Sequence, residues 1–280
     1  MPFSTSLSST PLDSYRGPLL IAVVSQGPLP SALAGLDDQL GGALGRVYSS
    51  GDFGGKRDET ALVYPAATPG RVLLVGTGKE PSTAAIRRGA AVGAKRARIL
   101  GAPSAALVCP TECRRTVSVP DTYQSLAEGA AQGAWHFPEM KRPPEDPKPA
   151  FELLEILTGG DDTALAGRGH SIGAAIGAGH RYARGLQVLP PNVLTPAVLA
   201  DRARALAAEG GFGCTVLDRL PPRRKASAVC WRWGKGRPTR SASSSSNTRA
   251  APARPWCSSG RASRSTPGAF QSSRPRAWRT

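Results

Sequence analysis

Three apolar runs of strand length punctuate the first half of the chain: residues 18–24 (PLLIAVV), 71–75 closed by Gly76, and 105–108 closed by Cys109 and Pro110. A run that is apolar without alternation suits a strand covered on both faces. Between the runs the period becomes helical, over residues 31–44 and again over 82–100. In the second of these Ala85, Ile86, Gly89, Val92, Gly93 and Ile99 share a face opposite Arg87, Arg88, Lys95 and Arg96, and Ser82 or Thr83 is placed to cap it. Strands alternating with helices predict an α/β sandwich on a largely parallel or mixed sheet.

The pattern continues with a helix over 121–133, entered at Pro120 and Asp121, and an exposed loop over 138–149, which carries five prolines. A strand-like stretch, 151–157, stops at Gly159 and Gly160. Asp161 or Asp162 then opens a Gly- and Ala-rich helix running to about Leu186. Its small residues, Ala174, Ala175, Gly177 and Ala178 among them, permit close backbone approach, although each glycine costs ~1 kcal/mol of helix propensity against alanine. Pro190 and Pro191 cannot continue that helix, because they lack N–H donors and bias the preceding residue toward extended geometry. Thr195 is placed as an N-cap with Pro196 at the first helical position. The helix that follows, 196–208, turns Val198, Leu199, Ala203 and Leu206 inward and Asp201, Arg202 and Arg204 outward, and Gly210 and Gly211 end it. Residues 214–217 read as the first strand of a second domain.

Charge divides the chain more sharply than hydropathy does. Of its 36 Lys and Arg, 15 fall in residues 219–280, which hold none of the 20 acids, so the net charge of +16 leaves +1 for residues 1–218. The body therefore has the composition of an ordinary globular protein. Its cysteines, Cys109, Cys113 and Cys214, are odd in number and lack metal-ligand partners nearby, which points to reduced thiols. No stretch reaches the ~18 apolar residues that span a bilayer, and residues 1–15 lack a basic segment followed by an apolar one, so a cytoplasmic protein is expected.

Candidate chemistry is sparse. Residues 75–79 (VGTGK) follow a strand and precede a helix, where a phosphate-cradling loop would sit, yet they lack full P-loop spacing and the third glycine of a dinucleotide fingerprint. Tight-turn glycines explain them as well. His136, His170 and His180 are scattered, and the last two are ten apart on one helix, too far to share an ion. Asp37 with Asp38, and Asp161 with Asp162, sit at helix edges and read as caps. No catalytic, cofactor-binding or metal-ligating residue is assigned. The basic tail, with Trp231, Trp233, Trp256 and Trp278, has the cations and indoles of a nucleic-acid-binding arm, but tryptophan is little expected in disordered low-complexity sequence.

Through the proline pair, which forms an elbow between two helices, and its flanks, the chain resembles the leucyl (cytosol) aminopeptidases of the M17 metallopeptidase family. The residues that carry the resemblance are Ala183-Arg184, Leu189-Pro190-Pro191-Asn192 and Leu194-Thr195-Pro196, in the order the family uses where its N-terminal domain joins its catalytic domain. Ala127-Glu128-Gly129 with the stretch 135–141, and residues 72–78 followed by a helix, are also similar to that N-terminal domain. The resemblance covers roughly residues 18–218. It implies a macrodomain-like layered domain followed by a catalytic domain, in which a lysine, several aspartates and a glutamate hold two divalent metals, manganese or zinc. It also implies peptide substrates and a homo-hexamer.

That metal constellation is absent from residues 219–280, and the genetic code suggests why. If each codon is rebuilt from the third base of one printed codon and the first two of the next, Cys230 into Trp231 forces Leu, Trp233 into Gly234 forces Gly, and Trp256 into Cys257 forces Val. Residues 243–246, written with TCN serine codons, become Phe, Leu, Ile or Val, a buried strand. Residues 226–236 then permit IGSLLAVGQG and 256–275 permit VLVGKGVTFDTGGISIKPA, which resembles the family's metal-binding segment. A one-base slip between about Asp218 and Lys225 accounts for this.

The expected architecture is thus α/β: a flexible N-terminus (1–17), a layered macrodomain-like domain with a central mixed sheet (18–160), a linker helix and elbow (161–195), the aborted start of a second α/β domain (196–218) and a frame-shifted, disordered basic tail (219–280). The chain is expected to be the inactive part of a metal-dependent leucyl aminopeptidase, with no metal of its own, no membrane partner and nucleic acid disfavoured. The rival readings are a stand-alone macrodomain-like module binding a nucleotide or partner, and a genuine nucleic-acid-binding tail.

Overall fold

The computed structural model describes residues 3–137, 142, 145–217 and 243–247. They fall into two compact units that divide between Pro190 and Pro191.

In the first unit the apolar runs become the middle of a six-stranded sheet. Its strands are β1 (Ser4–Ser8), β2 (Leu20–Val24), β3 (Thr60–Val63), β4 (Val72–Gly76), β5 (Ser104–Val108) and β6 (Leu153–Leu157), in the order β1-β6-β5-β2-β4-β3. All neighbours are parallel except β3, which runs against β4. Leu20 pairs with both Val72 and Ala106, and Ala22 with both Leu74 and Val108. Every residue of β2 and β4 is buried, as unbroken apolar runs require of strands with both faces covered.

Three long helices pack side by side: α3 (Thr83–Ile99), α5 (Val119–Ala134) and α6 (Thr163–Val188). Ser82 caps α3, its hydroxyl accepting from Ala85 N at 3.2 Å. Gly89 and Gly93 let α3 settle onto β2, since a Cβ on either would lie 2.9 Å from Val23 Cγ1 or 2.6 Å from Ile21 Cγ2. The buried face of α3 is Ala85, Ile86, Gly89, Ala90, Gly93, Ala94 and Ala97. Ile99, expected inward, is 43% exposed, because at 3.6 residues per turn it points roughly 140° away from Ile86.

Residues 31–44 do not form one helix. A 3-10 turn (Ser31–Leu33) leads into α1 (Ala34–Gln39), and Gly41 and Gly42, at φ 64° and 74°, break the chain before α2 (Ala43–Ser49). The single turn α4 (Thr111–Arg114) follows β5. The N-terminus is also corrected: residues 4–8, expected to be flexible, form the edge strand β1, with Ser4 N on Glu152 O at 2.9 Å and Thr158 N on Ser8 O at 3.0 Å. The sequence STSLS gives no apolar signal because this strand is only half covered. The other edge strand, β3, has four half-buried residues and was likewise silent.

The second unit contains α7 (Pro196–Gly210), β7 (Gly213–Leu217) and β8 (Ser243–Asn247). Thr195 caps α7, accepting from Val198 N at 3.4 Å, and Gly211, at φ 68°, ends it. Ala200 and Ala207 are the buried residues of α7, whereas Leu199 and Leu206, expected inward, are 40% and 38% exposed. β7 and β8 are antiparallel, Gly213 opposite Asn247 and Leu217 opposite Ser243. Within the stretch expected to be a tail, the pairing of Ser243–Asn247 with β7 uses only backbone groups, which serine supplies as well as any residue. The rest of residues 219–280 lies outside the described residues.

Candidate functional site

Where β1, β5 and β6 end, their outgoing turns enclose a cleft of about 330 Å³. Residues 9–12 form one side after β1, Val108 to Thr111 another after β5, and Thr158, Gly159 and Gly160 a third after β6, with Ala32 from the segment after β2 at the rim. Of the adjacent strands β2 and β5, one leads into α1 and α2, the other into α4 and α5. In open α/β sheets ligand crevices form at such a divergence; the cleft lies to one side of it, at the ends of β1, β6 and β5, with Ala32 alone from the β2 side.

The turn after β6 is built by backbone chemistry. Asp161 N donates to Thr158 O at 3.1 Å, with Gly159 and Gly160 between them at φ 60° and 90°. A Cβ on either glycine would meet nothing within 4 Å, so glycine is required there for its conformation and not for space. Neither glycine donates its N–H to another described residue.

Behind that turn lies an ion pair. Arg114, whose side chain is 7% exposed, forks onto the carboxylate of Asp161, 12% exposed, and its Nη2 also lies 3.3 Å from Thr111 Oγ1. The Tyr123 hydroxyl sits 2.7 Å from Thr158 O and 2.9 Å from Asp161 Oδ2. Burial works against ionisation of Asp161, but the hydrogen bonds from Arg114 and Tyr123 outweigh it and hold the carboxyl below the usual range. α4 and the turn into α6 are thereby locked together, and the Arg114 guanidinium is committed to Asp161.

The rim at Ala32 is fixed from α4. Glu112 accepts from Ser31 N at 3.0 Å, from Ala32 N at 2.9 Å and from the Ser31 hydroxyl. The Ser31 hydroxyl, followed by the backbone N–H groups, keeps this carboxyl below its ordinary value against a desolvation that works to raise it. Cys109, in the cleft wall, and Cys113 are buried and free. Burial pushes both thiols up, so neither is an activated nucleophile.

The other candidates resolve into structural roles. In the 75–79 stretch, Gly76 N bonds Glu59 O, Thr77 N bonds Val24 O, and Gly78 N bonds Gly55 O. With those three N–H groups committed, they form no phosphate cradle. Gly76 is needed for close approach, since a Cβ there would lie 2.1 Å from Lys56 O. His170 Nε2 lies 3.0 Å from Thr5 Oγ1 and ties α6 to β1, His180 Nδ1 lies 3.1 Å from Gln132 Nε2, and His136 is exposed. Asp162 caps α6, accepting from Ala164 N at 2.8 Å and Leu165 N at 3.0 Å. Asp37 caps α2, the helix after its own, through Leu44 N at 2.7 Å and Gly45 N at 3.1 Å. The capping expectation is therefore corrected for Asp161, whose carboxylate is taken by Arg114. Arg114 and Tyr123 were missed, since nothing in a one-turn helix announces a buried arginine.

Among the described residues no group of three or more His, Cys, Asp or Glu is placed to hold a metal ion. No helix among them is long and apolar enough to cross a membrane.

Comparison with known proteins places this architecture. The family model described as the cytosol aminopeptidase family, N-terminal domain, matches residues 20–144. A protein named probable cytosol aminopeptidase from Roseiflexus castenholzii is 37% identical over 239 residues, covering 83% of this chain and 46% of that protein. One of the same name from Syntrophotalea carbinolica is 36% identical over 217 residues, covering 73% and 43%. In fold, the chain matches the K354E mutant of tomato leucine aminopeptidase at a TM-score of 0.64 and 24% identity, covering 78% of this chain and 45% of that one. It also matches the bottromycin maturation enzyme BotP in complex with Mn, at 0.57 and 21%, covering 73% and 39%. The chain spans somewhat under half the length of these relatives.

Proposed function

Residues 20–144 belong to the N-terminal domain of the cytosol aminopeptidase family, and from that premise we propose that the chain is the N-terminal portion of a metal-dependent leucyl aminopeptidase, a hydrolase that releases N-terminal residues such as leucine from peptides. The observation that carries the reading is the 37% identity extending over 83% of the chain, well past the matched domain. A cytoplasmic location and a homo-hexameric assembly for the whole protein belong to the same proposal.

The metals of that chemistry, two divalent ions of manganese or zinc, do not fit the residues in hand. The described residues bring together no donor cluster, and residues 219–280 contain no Asp or Glu. No hydrolytic step is therefore assigned to this chain, and it is proposed to be inactive. The one-base slip between about Asp218 and Lys225 accounts for the missing carboxylates. Two experiments test this. Nucleotide sequencing across codons 215–230 is expected to show that a corrected base opens a frame into a catalytic domain; a frame that stays closed sinks the slip. The purified 280-residue protein, supplied with Mn²⁺ or Zn²⁺, is expected to leave a leucine amide substrate intact, and metal-dependent turnover would contradict the assignment of an inactive chain.

A further inference from the structure

We propose that β1, at the free edge of the six-stranded sheet, is where a second copy of this chain docks, the two β1 strands pairing antiparallel about a two-fold axis at Ser6. The sheet then runs unbroken across both copies. This rests on the edge of the first unit and not on the aminopeptidase reading.

β1 ends the strand order and pairs with β6 alone. Ser4 N bonds Glu152 O, and Ser8 O accepts from Thr158 N, so the even-numbered residues turn their backbone groups toward β6. By the alternation of a strand, Phe3, Thr5 and Leu7 turn theirs to the open side. Phe3 O is taken there by Arg181 Nη1 at 2.5 Å. The N–H and C=O groups of Thr5 and Leu7 bond no other described residue on that side, and an unpaired row of this kind is a template for another strand. The opposite edge is guarded, since Lys56, Arg57, Asp58 and Glu59 lead into β3 and Pro65 follows it closely. Charges and proline are what native sheets place on an edge that must stay single. Residues 3–10 contain neither.

The edge is complementary to itself. With Ser6 opposite Ser6, Thr5 of each copy falls opposite Leu7 of the other, so the free residues meet as hydrogen-bonded pairs, each pair exchanging both of its bonds. A slip of one residue sets Thr5 and Leu7 against groups that already serve β6. No like charges oppose one another across the axis, because residues 3–10 carry none. α6 lies over the same edge, with His170 at Thr5 and Arg181 at Phe3. Its side away from α5 carries Ala164, Ser171, Ala175 and Ala178, all exposed and roughly 140–200° around the helix from Gly173. These side chains are small enough for a second α6 to lie alongside, and Arg168, on the same side, has the reach to keep its guanidinium in water. A partner must therefore match both layers, an open strand edge with a helix above it, and a second copy supplies both by symmetry. A contact of this extent falls near the roughly 1,200 Å² at which specific interfaces begin, so the dimer is reversible, with a Kd of about 10–100 µM.

The full chain is followed by analytical ultracentrifugation and residue-resolved amide hydrogen exchange from about 5 to 500 µM. A monomer–dimer equilibrium is expected, with the Thr5 and Leu7 amides slowed at least about threefold at the high end and the Ser6 amide, turned toward β6, little changed. Ser6→Lys and Ser6→Glu each set like charges against one another at the axis. Each is expected to weaken self-association at least about tenfold, and the two mixed in equal amounts to recover it as a heterodimer. A chain that stays monomeric to about 500 µM, or an assembly that leaves the Thr5 and Leu7 amides unchanged, overturns the proposal. So do folded charge variants that associate undiminished or fail to recover on mixing. If either variant does not fold, exchange at the wild-type amides decides alone.

Discussion

Asp37 and Asp161 occupy matching places in the sequence, each the first of an Asp–Asp pair at a helix boundary, yet they do different work. Asp37 receives two N–H groups at the start of α2, the contribution of a helix cap. Asp37→Ala is expected to cost about 1–2 kcal/mol in urea denaturation. Asp161 answers Arg114 in a nearly closed environment, where removing one partner strands the other. Arg114→Ala or Asp161→Ala is expected to cost about 3–5 kcal/mol. The double variant should cost less than the sum of the two, and a double-mutant cycle that returns strict additivity would mean the pair is not coupled.

At the scale of elements, the layer of α3, α5 and α6 is set by two glycine rows. Gly129 and Gly133 on α5 bring it against α3, where a Cβ would lie 2.1 Å from Arg87 O and 2.0 Å from Ala91 O. Gly169 and Gly173 on α6 do the same against Pro120 O and Gln124 O, at 2.0 and 2.3 Å. The close approach expected of the segment around residues 174–178 thus belongs to a row one helical turn apart at Gly169, Gly173 and Gly177, while Ala175 and Ala178 are exposed. Gly133→Ala and Gly173→Ala are expected to destabilise by about 1–3 kcal/mol, because overpacking against backbone outweighs the gain in helix propensity. Gly167 and Gly179, with nothing within 4 Å of a Cβ, should show the opposite sign, each Ala substitution stabilising by up to ~1 kcal/mol. Chemical denaturation of the four variants reads both signs at once.

For the whole molecule, the carboxylates act together on the acid side. Asp58, Glu59, Glu112 and Asp161 all sit below their ordinary values. A depressed folded value means the stabilisation is complete above the unfolded value, near pH 4, and is lost as pH falls through the folded one. His170, lowered by burial, behaves in the same direction at higher pH. Its neutral form is favoured in the fold, so stability begins to decline below about pH 6.5. Urea midpoints measured between about pH 3 and 7.5 are expected to fall gently through the histidine range and steeply below about pH 4. His170→Gln should remove the upper limb and leave the lower.

What the sequence determined by itself is whatever depends on local period and punctuation. Unbroken apolar runs located β2, β4 and β5, Ser82 and Thr195 marked two helix starts, and the Leu189–Pro191 elbow, with Thr195 and Pro196 beyond it, marked where α6 ends and α7 begins. The motif around that elbow also carried the family resemblance. Only the tertiary structure decided which polar residues meet. Arg114 reaches Asp161 across 47 positions and Glu112 reaches Ser31 across 81, and the cleft is assembled from turns after four different strands. The edge strands β1 and β3 escaped for a related reason. A half-covered strand is held by its neighbour's backbone, and backbone hydrogen bonds leave no mark on the choice of side chain.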